Sequence, residues 1–595
     1  MKRNKIVLAA AFSFAAFGLN SCLDYDVPTD DFKPNEVIDG STDEDLHGNP
    51  DVINFDKTVT EEEFDAAKKD LDQLLAAGQT GQKGMRGGKE GNYPGEHAYQ
   101  RQYTLADVYA EYAVVPHYDF AYAKYLDYSY SVVDDWYGGP NGEYGITRTN
   151  IAPLLNHESI DAIPEMKAIY LLMFDYSSIE IADLYGPMPF TAFLNNQDQP
   201  PFPFEAQSDV YKKVFTHLER ILACLHHFTE QPEWYQTKVL DLMHSNLLIV
   251  DKNATVDTWI RFANSLKLRM AIHMVKVEPD LAKQYAEAAV ADGVIESLAD
   301  QVGFYPSQYS GSHPLYTISE TWNDERLNAS FESILMSLKH PYANALYEKN
   351  GGQLGDLAAS KKTVGIRSGV RTGAGQSASS NPFINYSRLR PTMIQKAPLY
   401  IFKWSEIDFL RAEGALRGWN MGGTAQFFYE RGIDNSSCLD PGSSAHTGLA
   451  KQLANYKNLA SAVDYTYVDP LGKTESMPSV TKIGVKWNEA DDKETKLEKI
   501  ITQKYIAIFP NSFEAWGEMR RTGYPKTFPV LNPNQGDGSL KYGELVRRMI
   551  FPYSDDASIV EIQKTGLPAL SKDNPQSMGD KQGTRVWWDR PTGNF

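Results

Sequence analysis

From residue 162 to residue 508, apolar side chains return every three or four positions in one segment after another, the spacing of a helix with one buried face. Residues 162–186 form one long segment that stops at Gly186-Pro187. Residues 208–226 open at Ser208 or Asp209 and place Val210, Val214, Leu218, Ile221 and Leu225 on one face. Residues 257–276 align Phe262, Leu266, Met270 and Met274, and residues 280–292 close at Gly293. A strand-like run, Leu399 to Phe402, leads into a helix from Ser405 to Arg417, closed by Gly418. Further helices are predicted over 424–433 and 494–508. Upstream, Thr60 and Glu63 make a capping box, and Phe64, Ala67, Leu71 and Leu74 carry a helix to Gly78. Such segments pair as helix hairpins of tetratricopeptide type, although no strict 34-residue consensus repeats. The stretches 300–330, 340–398 and 435–492 lack helical period and are rich in Ser, Gly, Asn and aromatics. They predict an irregular, loop-rich half with few short strands beside a mainly α scaffold. The glycines from Gly78 to Gly95 predict a mobile loop.

The first residues read as an address. Lys2, Arg3 and Lys5 precede a mostly apolar stretch, Ile6 to Leu19, that is too short to span a bilayer comfortably. Leu19-Asn20-Ser21-Cys22 resembles a bacterial lipobox, in which Cys22 is acylated and becomes the first mature residue. The alternative is an ordinary signal peptide with an incidental cysteine. The expected organisation is a signal over residues 1–21, a lipidated acidic leader over 22–57, and one folded unit over 58–595. Three cysteines exclude a disulfide framework. A net charge of −19 argues against nucleic acid as a partner.

Catalytic signatures are absent from the sequence: no His-Glu-x-x-His, no Gly-x-Ser-x-Gly and no P-loop. Acid pairs such as Asp134-Asp135 and Asp491-Asp492 read as solvated faces. The adjacent His226 and His227 diverge on a helix. No cofactor and no metal site are expected. Aromatic content is more informative. Tyr (34) outnumbers Phe (27), and tyrosine, with a flat face and a polar tip, suits half-wet contacts. Tyr99/Tyr103, Tyr109/Tyr112 and Tyr118/Tyr122/Tyr125 have helical spacing and are read as packing residues. Trp136, Tyr137 and Tyr144 surround the loop punctuation Gly138-Gly139-Pro140-Asn141. Tyr305, Tyr309, Tyr316 and Trp322 are interleaved with Pro306, Gly311, Ser312, His313 and Asn323. These seven rings are the candidate ligand contacts, because a sugar ring needs flat stacking surfaces flanked by hydrogen-bonding groups. Local packing is the competing reading for each of them.

Several blocks, in order, resemble the SusD/RagB family of nutrient-binding outer-membrane lipoproteins of Bacteroidetes. They are Leu184-Tyr185-Gly186-Pro187-Met188-Pro189-Phe190, Trp259 to Met270, Glu406 to Gly418 and Tyr429 to Ile433. Gln503 to Ala507, Glu514-Ala515-Trp516 and Arg520 to Pro525 follow, then Arg547-Arg548 before Phe551-Pro552-Tyr553, and Val586-Trp587-Trp588-Asp589. His340-Pro341-Tyr342 stands where the family often has Asp-Pro-Arg. Trp516, Arg520, Arg521 and the Trp587-Trp588 pair are read as scaffold. The resemblance implies four helix pairs carrying a loop-rich half, and a surface-anchored lid with no catalytic residues. It also implies capture of an oligosaccharide or glycan for a SusC-type TonB-dependent transporter. A peptide-binding, RagB-like role shares fold and partner; a secreted glycoside hydrolase and a purely structural lipoprotein are the rivals from other classes.

Overall fold

Helices start and stop where local chemistry requires. The computed structural model describes residues 48–87, 95–116, 139–251, 253–305, 311–349, 362–370, 381–436, 444–531, 537–552 and 555–595. Thr60 caps helix α1 (Glu61–Asp70). Its hydroxyl accepts from the Glu63 amide at 3.2 Å, and the Glu63 carboxylate accepts from the Thr60 amide at 2.8 Å. Helix α2 (Asp72–Gly84) follows after Leu71 alone. The chain then runs through α3 (Glu96–Tyr109), β1 (Ala113–Val114), α4 (Gly139–Leu155) and α5 (Pro164–Tyr185).

Helix α2 corrects the expectation that a mobile loop begins at Gly78. A Cβ on Gly78 would lie 2.7 Å from the Tyr170 ring, on Gly81 2.7 Å from Ile151, and on Gly84 2.7 Å from the Thr147 hydroxyl. Glycine weakens a helix by about 0.5–1 kcal/mol per residue. Here it lets α2 press against α4 and α5, and that packing offsets the loss. The start of α4 is a second correction. Gly139 and Pro140 read as loop, but Pro is well suited to a first helical turn, where its missing N–H is not needed.

Helices α6 (Gln207–His227), α7 (Val256–His273) and α8 (Pro279–Asp292) fall within a few residues of the periodic segments. Strands β2 (Val302–Phe304) and β3 (Arg326–Leu327) precede α9 (Ala329–Ser337), and β4 (Leu399–Phe402) leads into α10 (Trp404–Leu416) and α11 (Ala425–Asp434). Strands β5 (Thr466–Tyr467) and β6 (Met477–Pro478) come before α12 (Lys493–Ala507) and α13 (Ser512–Thr522). Helices pair as α2 with α4, α5 with α6, α7 with α8, and α10 with α11. Apolar faces of all these pairs meet in one large buried cluster that includes Phe64, Ile151, Phe174, Leu218, Phe262 and Phe409.

The other half is built differently. Antiparallel two-stranded ribbons join β1 to β3, β2 to β4 and β5 to β6. Side chains do much of the remaining work: the Gly365 amide donates to Glu332 at 2.6 Å, and Asp469 accepts from the amides of Leu471, Lys473 and Thr474. The stretch 435–492 also holds a helix, Ser444–Tyr456, contrary to expectation. Its buried Leu449, Leu453 and Tyr456 do carry a helical spacing, masked in the sequence by the surrounding Gly and Ser.

The family-like blocks are scaffold, as read. Trp516 is fully buried and donates to the Val546 carbonyl at 2.9 Å; Trp588 donates to Asp183 at 2.6 Å, stitching the C-terminal tail to α5. The Arg520 guanidinium lies over both rings, at 3.8 and 4.8 Å from their centroids. A buried ionic chain runs through the same region. Arg521 grips Glu413 (2.8 and 2.6 Å) and Glu518, Lys504 bridges Glu518 (2.8 Å) and Glu514, and Arg269 pairs with Glu406 at 2.7 Å. His273, Glu514 and Glu518 converge in the manner of metal ligands, but the cation between the two glutamates is the Lys504 ammonium.

Candidate functional site

The candidate site is built on one face of α3. Residues 97, 100, 104 and 107 are three or four apart and so lie along one stripe. Against this stripe sits a tight turn. His313 caps Pro314–Tyr316 by accepting the Leu315 amide at 3.2 Å. A π-helical turn, Thr317–Thr321, follows and delivers Trp322; wide turns of this kind are frequent at functional sites. Asn323 takes a left-handed conformation (φ 63°), which asparagine tolerates better than most residues, and sends the chain toward β3.

Contacts between the two are sequential, like rungs. Glu96 accepts from the Thr317 hydroxyl at 3.3 Å. The His97 ring stacks on Trp322, centroids 4.5 Å apart and planes 28° apart. Tyr99 meets His313 edge-on at 5.6 Å. Gln100 donates to Asp324 at 2.6 Å, and Thr104 donates to Glu325 at 3.5 Å. Arg326 ties the turn to itself, donating to Asn323 at 2.6 Å and to the carbonyls of Ser319 and Ile384. Trp322 and Tyr316 are half-buried with their inner sides on the main core, and His97 is exposed.

The rim is charged. Arg388 lies 3.2 Å from Glu320 and 3.1 Å from Glu348. Burial pushes Glu320 above its ordinary value, and Arg388 opposes that rise. Burial holds His313 neutral, with its pKa pushed down to about 3. Beside this set, Tyr305 donates to the Gln301 carbonyl at 2.9 Å and meets Tyr400 edge-on at 6.1 Å. Tyr99, His313 and Tyr400 line one small cavity of about 20 Å³, so the two ring sets are neighbours. The face therefore offers flat apolar surfaces edged by hydroxyl, carboxylate, imidazole and guanidinium groups, a combination suited to a small, polar, ring-shaped ligand.

Of the seven rings singled out in the sequence, Tyr316 and Trp322 come together on this turn, and Tyr305 flanks it. Trp136, Tyr137 and Tyr309 lie outside the described residues, as does Cys22. Tyr144 is a correction: it sits inside α4, 3% exposed, with its hydroxyl 2.8 Å from that of Ser178. It packs the scaffold and offers no open ring face. Tyr99/Tyr103 and Tyr109/Tyr112 pack as read, all four buried and Tyr99 stacked on Tyr103 at 4.5 Å, while Tyr118, Tyr122 and Tyr125 lie outside the described residues. His97 and Gln100 were not singled out in the sequence; the polar stripe at heptad spacing through an otherwise buried helix was the available signal. The acid pair Asp491-Asp492 is structural: Asp492 caps α12 by accepting the Thr495 amide at 2.7 Å, and Asp491 pairs with Lys499. His226 and His227 diverge to Asp292 and Glu230.

Fold and site together define a class, a scaffold of helix pairs that holds an aromatic turn at its loop-rich side. A model of the SusD-like family, described as Susd and RagB outer membrane lipoprotein, matches residues 54–589. This chain belongs to the SusD-like family. Among solved structures it is similar to a chitin-binding SusD homologue from Flavobacterium johnsoniae, at 30% identity and TM-score 0.72, covering 88% of this chain and 100% of that one. It is also similar to a SusD homologue from Bacteroides thetaiotaomicron (28%, TM-score 0.70, 87% and 99%) and to one from Bacteroides ovatus (28%, 0.70, 88% and 100%). No curated protein matches the sequence. Among the described residues, no helix is long and apolar enough to cross a membrane.

Proposed function

We propose that this protein is a non-enzymatic glycan-binding lipoprotein of the cell surface, anchored through Cys22, which hands oligosaccharides to a SusC-type TonB-dependent transporter. The observation that carries this reading is the Trp322 turn: a half-buried indole stacked on an exposed imidazole, held by a ladder of contacts to a rigid helix. Family membership and the chitin-binding relative support it. Stacking on ring faces suits weak and reversible capture, since a ligand held through many buried charges would not be released to a transporter.

The test is an affinity screen of the mature chain against polysaccharides and peptides, with N-acetylglucosamine oligomers first. Binding of one glycan class without turnover is expected. The double variant Trp136→Ala, Trp322→Ala should abolish that retention while its melting profile stays cooperative; unchanged retention discards this site. Retention of oligopeptides alone would replace the glycan reading. Mass spectrometry of the membrane-extracted protein should find acyl chains on Cys22.

A further inference from the structure

The polar rungs of the α3 ladder each pair a donor with an acceptor, except the last. Asp107 lies beside Glu325, at the end of the segment that leaves Trp322. Both carboxyls are buried, 3% and 5% exposed. Among the described residues no charged donor reaches either oxygen of Asp107, and the one donor beside it is the neutral Ser512 hydroxyl at the start of α13. Among the described residues, Glu325 receives only the long bond from Thr104. A cavity of about 10 Å³ adjoins the pair and is lined by both acids, Ser319 and Tyr347, room for at most about one water. The groups facing the pair bring no free cation. Among the described residues they are Tyr99 and Tyr103 from α3, Tyr112 beyond it, Ser512 from α13, Asp324 and Arg326 from the segment itself, and Tyr347 across the cavity. Arg326 points away, its donors on Asn323 and on the carbonyls of Ser319, Glu325 and Ile384.

Two carboxylates in contact are acceptors only, and like charges at that range cannot both ionise in a dry site. We propose that Asp107 and Glu325 hold one proton between them, and that this shared proton locks the Trp322 turn to α3, making the two acids positioning residues for the ligand face. Burial pushes Asp107 up to about 7 and, together with the Asp107 charge, carries Glu325 well above the carboxylate range. The sign follows: the folded state holds the proton more tightly than the unfolded chain does. The stabilisation is therefore present at low pH and is lost as pH rises through the folded pKa values. Full loss leaves two buried anions facing each other, and the segment 322–325 is the part able to move away, because α3 is held by α13 and α4 and β3 is paired with β1.

The experiment is hydrogen exchange of the mature chain, corrected for intrinsic rates, read over peptides covering 313–328 from about pH 6 to about pH 9. Protection of that segment should fall by up to about tenfold per pH unit once the proton is released, while the buried centre of α7 stays protected. Glu325→Gln, which supplies an amide donor in place of the proton, should keep the segment protected and flatten its pH dependence. Asp107→Asn is the second variant should the first fold poorly. Glu111→Gln is the control, because burial also pushes Glu111 up to about 7. An infrared band of a protonated carboxyl should be present near neutrality and diminish in Glu325→Gln. A flat wild-type profile, an unchanged slope in Glu325→Gln, or loss of the slope in Glu111→Gln overturns the lock. The effect on ligand rests on the glycan reading above: glycan retention should weaken over the same range. A segment that loosens while retention holds keeps the lock and removes Trp322 from the ligand site.

Discussion

Scaffold and loop half both bury charge, yet they neutralise it by opposite means. Between α7, α10, α12 and α13, every buried carboxylate has a cation: Arg521 for Glu413 and Glu518, Lys504 for Glu514 and Glu518, and Arg269 for Glu406. At the seam between α3 and the Trp322 turn, acid meets acid. A balanced network holds its geometry over a wide pH range, because its ions hold one another in the charged state. An all-acid contact persists only while a proton is available. The ionic network of the frame thus holds its charges where the candidate ligand face is sensitive to pH.

One pair of isosteric changes breaks this comparison most sharply. Glu413→Gln removes an anion from two arginines, Arg417 and Arg521, and should cost about 3–5 kcal/mol in denaturant unfolding, because it leaves a buried cation short of its partner. Glu325→Gln, the same chemical change where the carboxyl is already protonated, should stay within about 1 kcal/mol at neutral pH. Equal costs would dissolve the distinction between the two regions.

The next effect comes from pH and belongs to the scaffold alone. Burial by itself would push the His217 imidazolium down, but the Asp175 carboxylate 3.0 Å away, with Asp51, outweighs it and lifts the pKa to about 9. That stabilisation is complete below the ordinary histidine value and is lost as pH rises from about 6.5 through about 9, worth about 3 kcal/mol. Unfolding free energies of wild type and His217→Gln should converge toward the alkaline end. A gap that stays constant with pH would show that the imidazole acts by packing only. Smallest is Gly78→Ala, which forces a methyl into the Tyr170 ring and should cost about 1–3 kcal/mol of stability with no change at the Trp322 turn. A neutral or stabilising outcome would mean that α2 can retreat from α5.

The scaffold was largely legible in the sequence, since its signals are local. Helix α5 ends at Gly186, where φ is +81°, and α8 opens on Pro279, so both boundaries could be read from chemistry within a turn of the residue concerned. Misreadings arose where a residue answers to a distant neighbour. Gly78, Gly81 and Gly84 look like flexibility until Tyr170, Ile151 and Thr147 are seen pressed against them. Tyr144 looks like a loop aromatic beside Gly139 and Pro140, but those two begin a helix whose inner face the ring fills. At the candidate site, Trp322 stood out for its loop context. Its partner His97, over two hundred positions earlier in the chain, did not.

The amino-acid order by itself determined most of the scaffold helices and which blocks place the chain in its family, because periodicity, caps and motifs act over a few residues. Only the tertiary structure decided which rings share a face, which glycines are contact points, and that Asp107 meets Glu325 with no cation between them. Those outcomes depend on chain segments brought together by burial of the common core, and no local pattern encodes the distance between them.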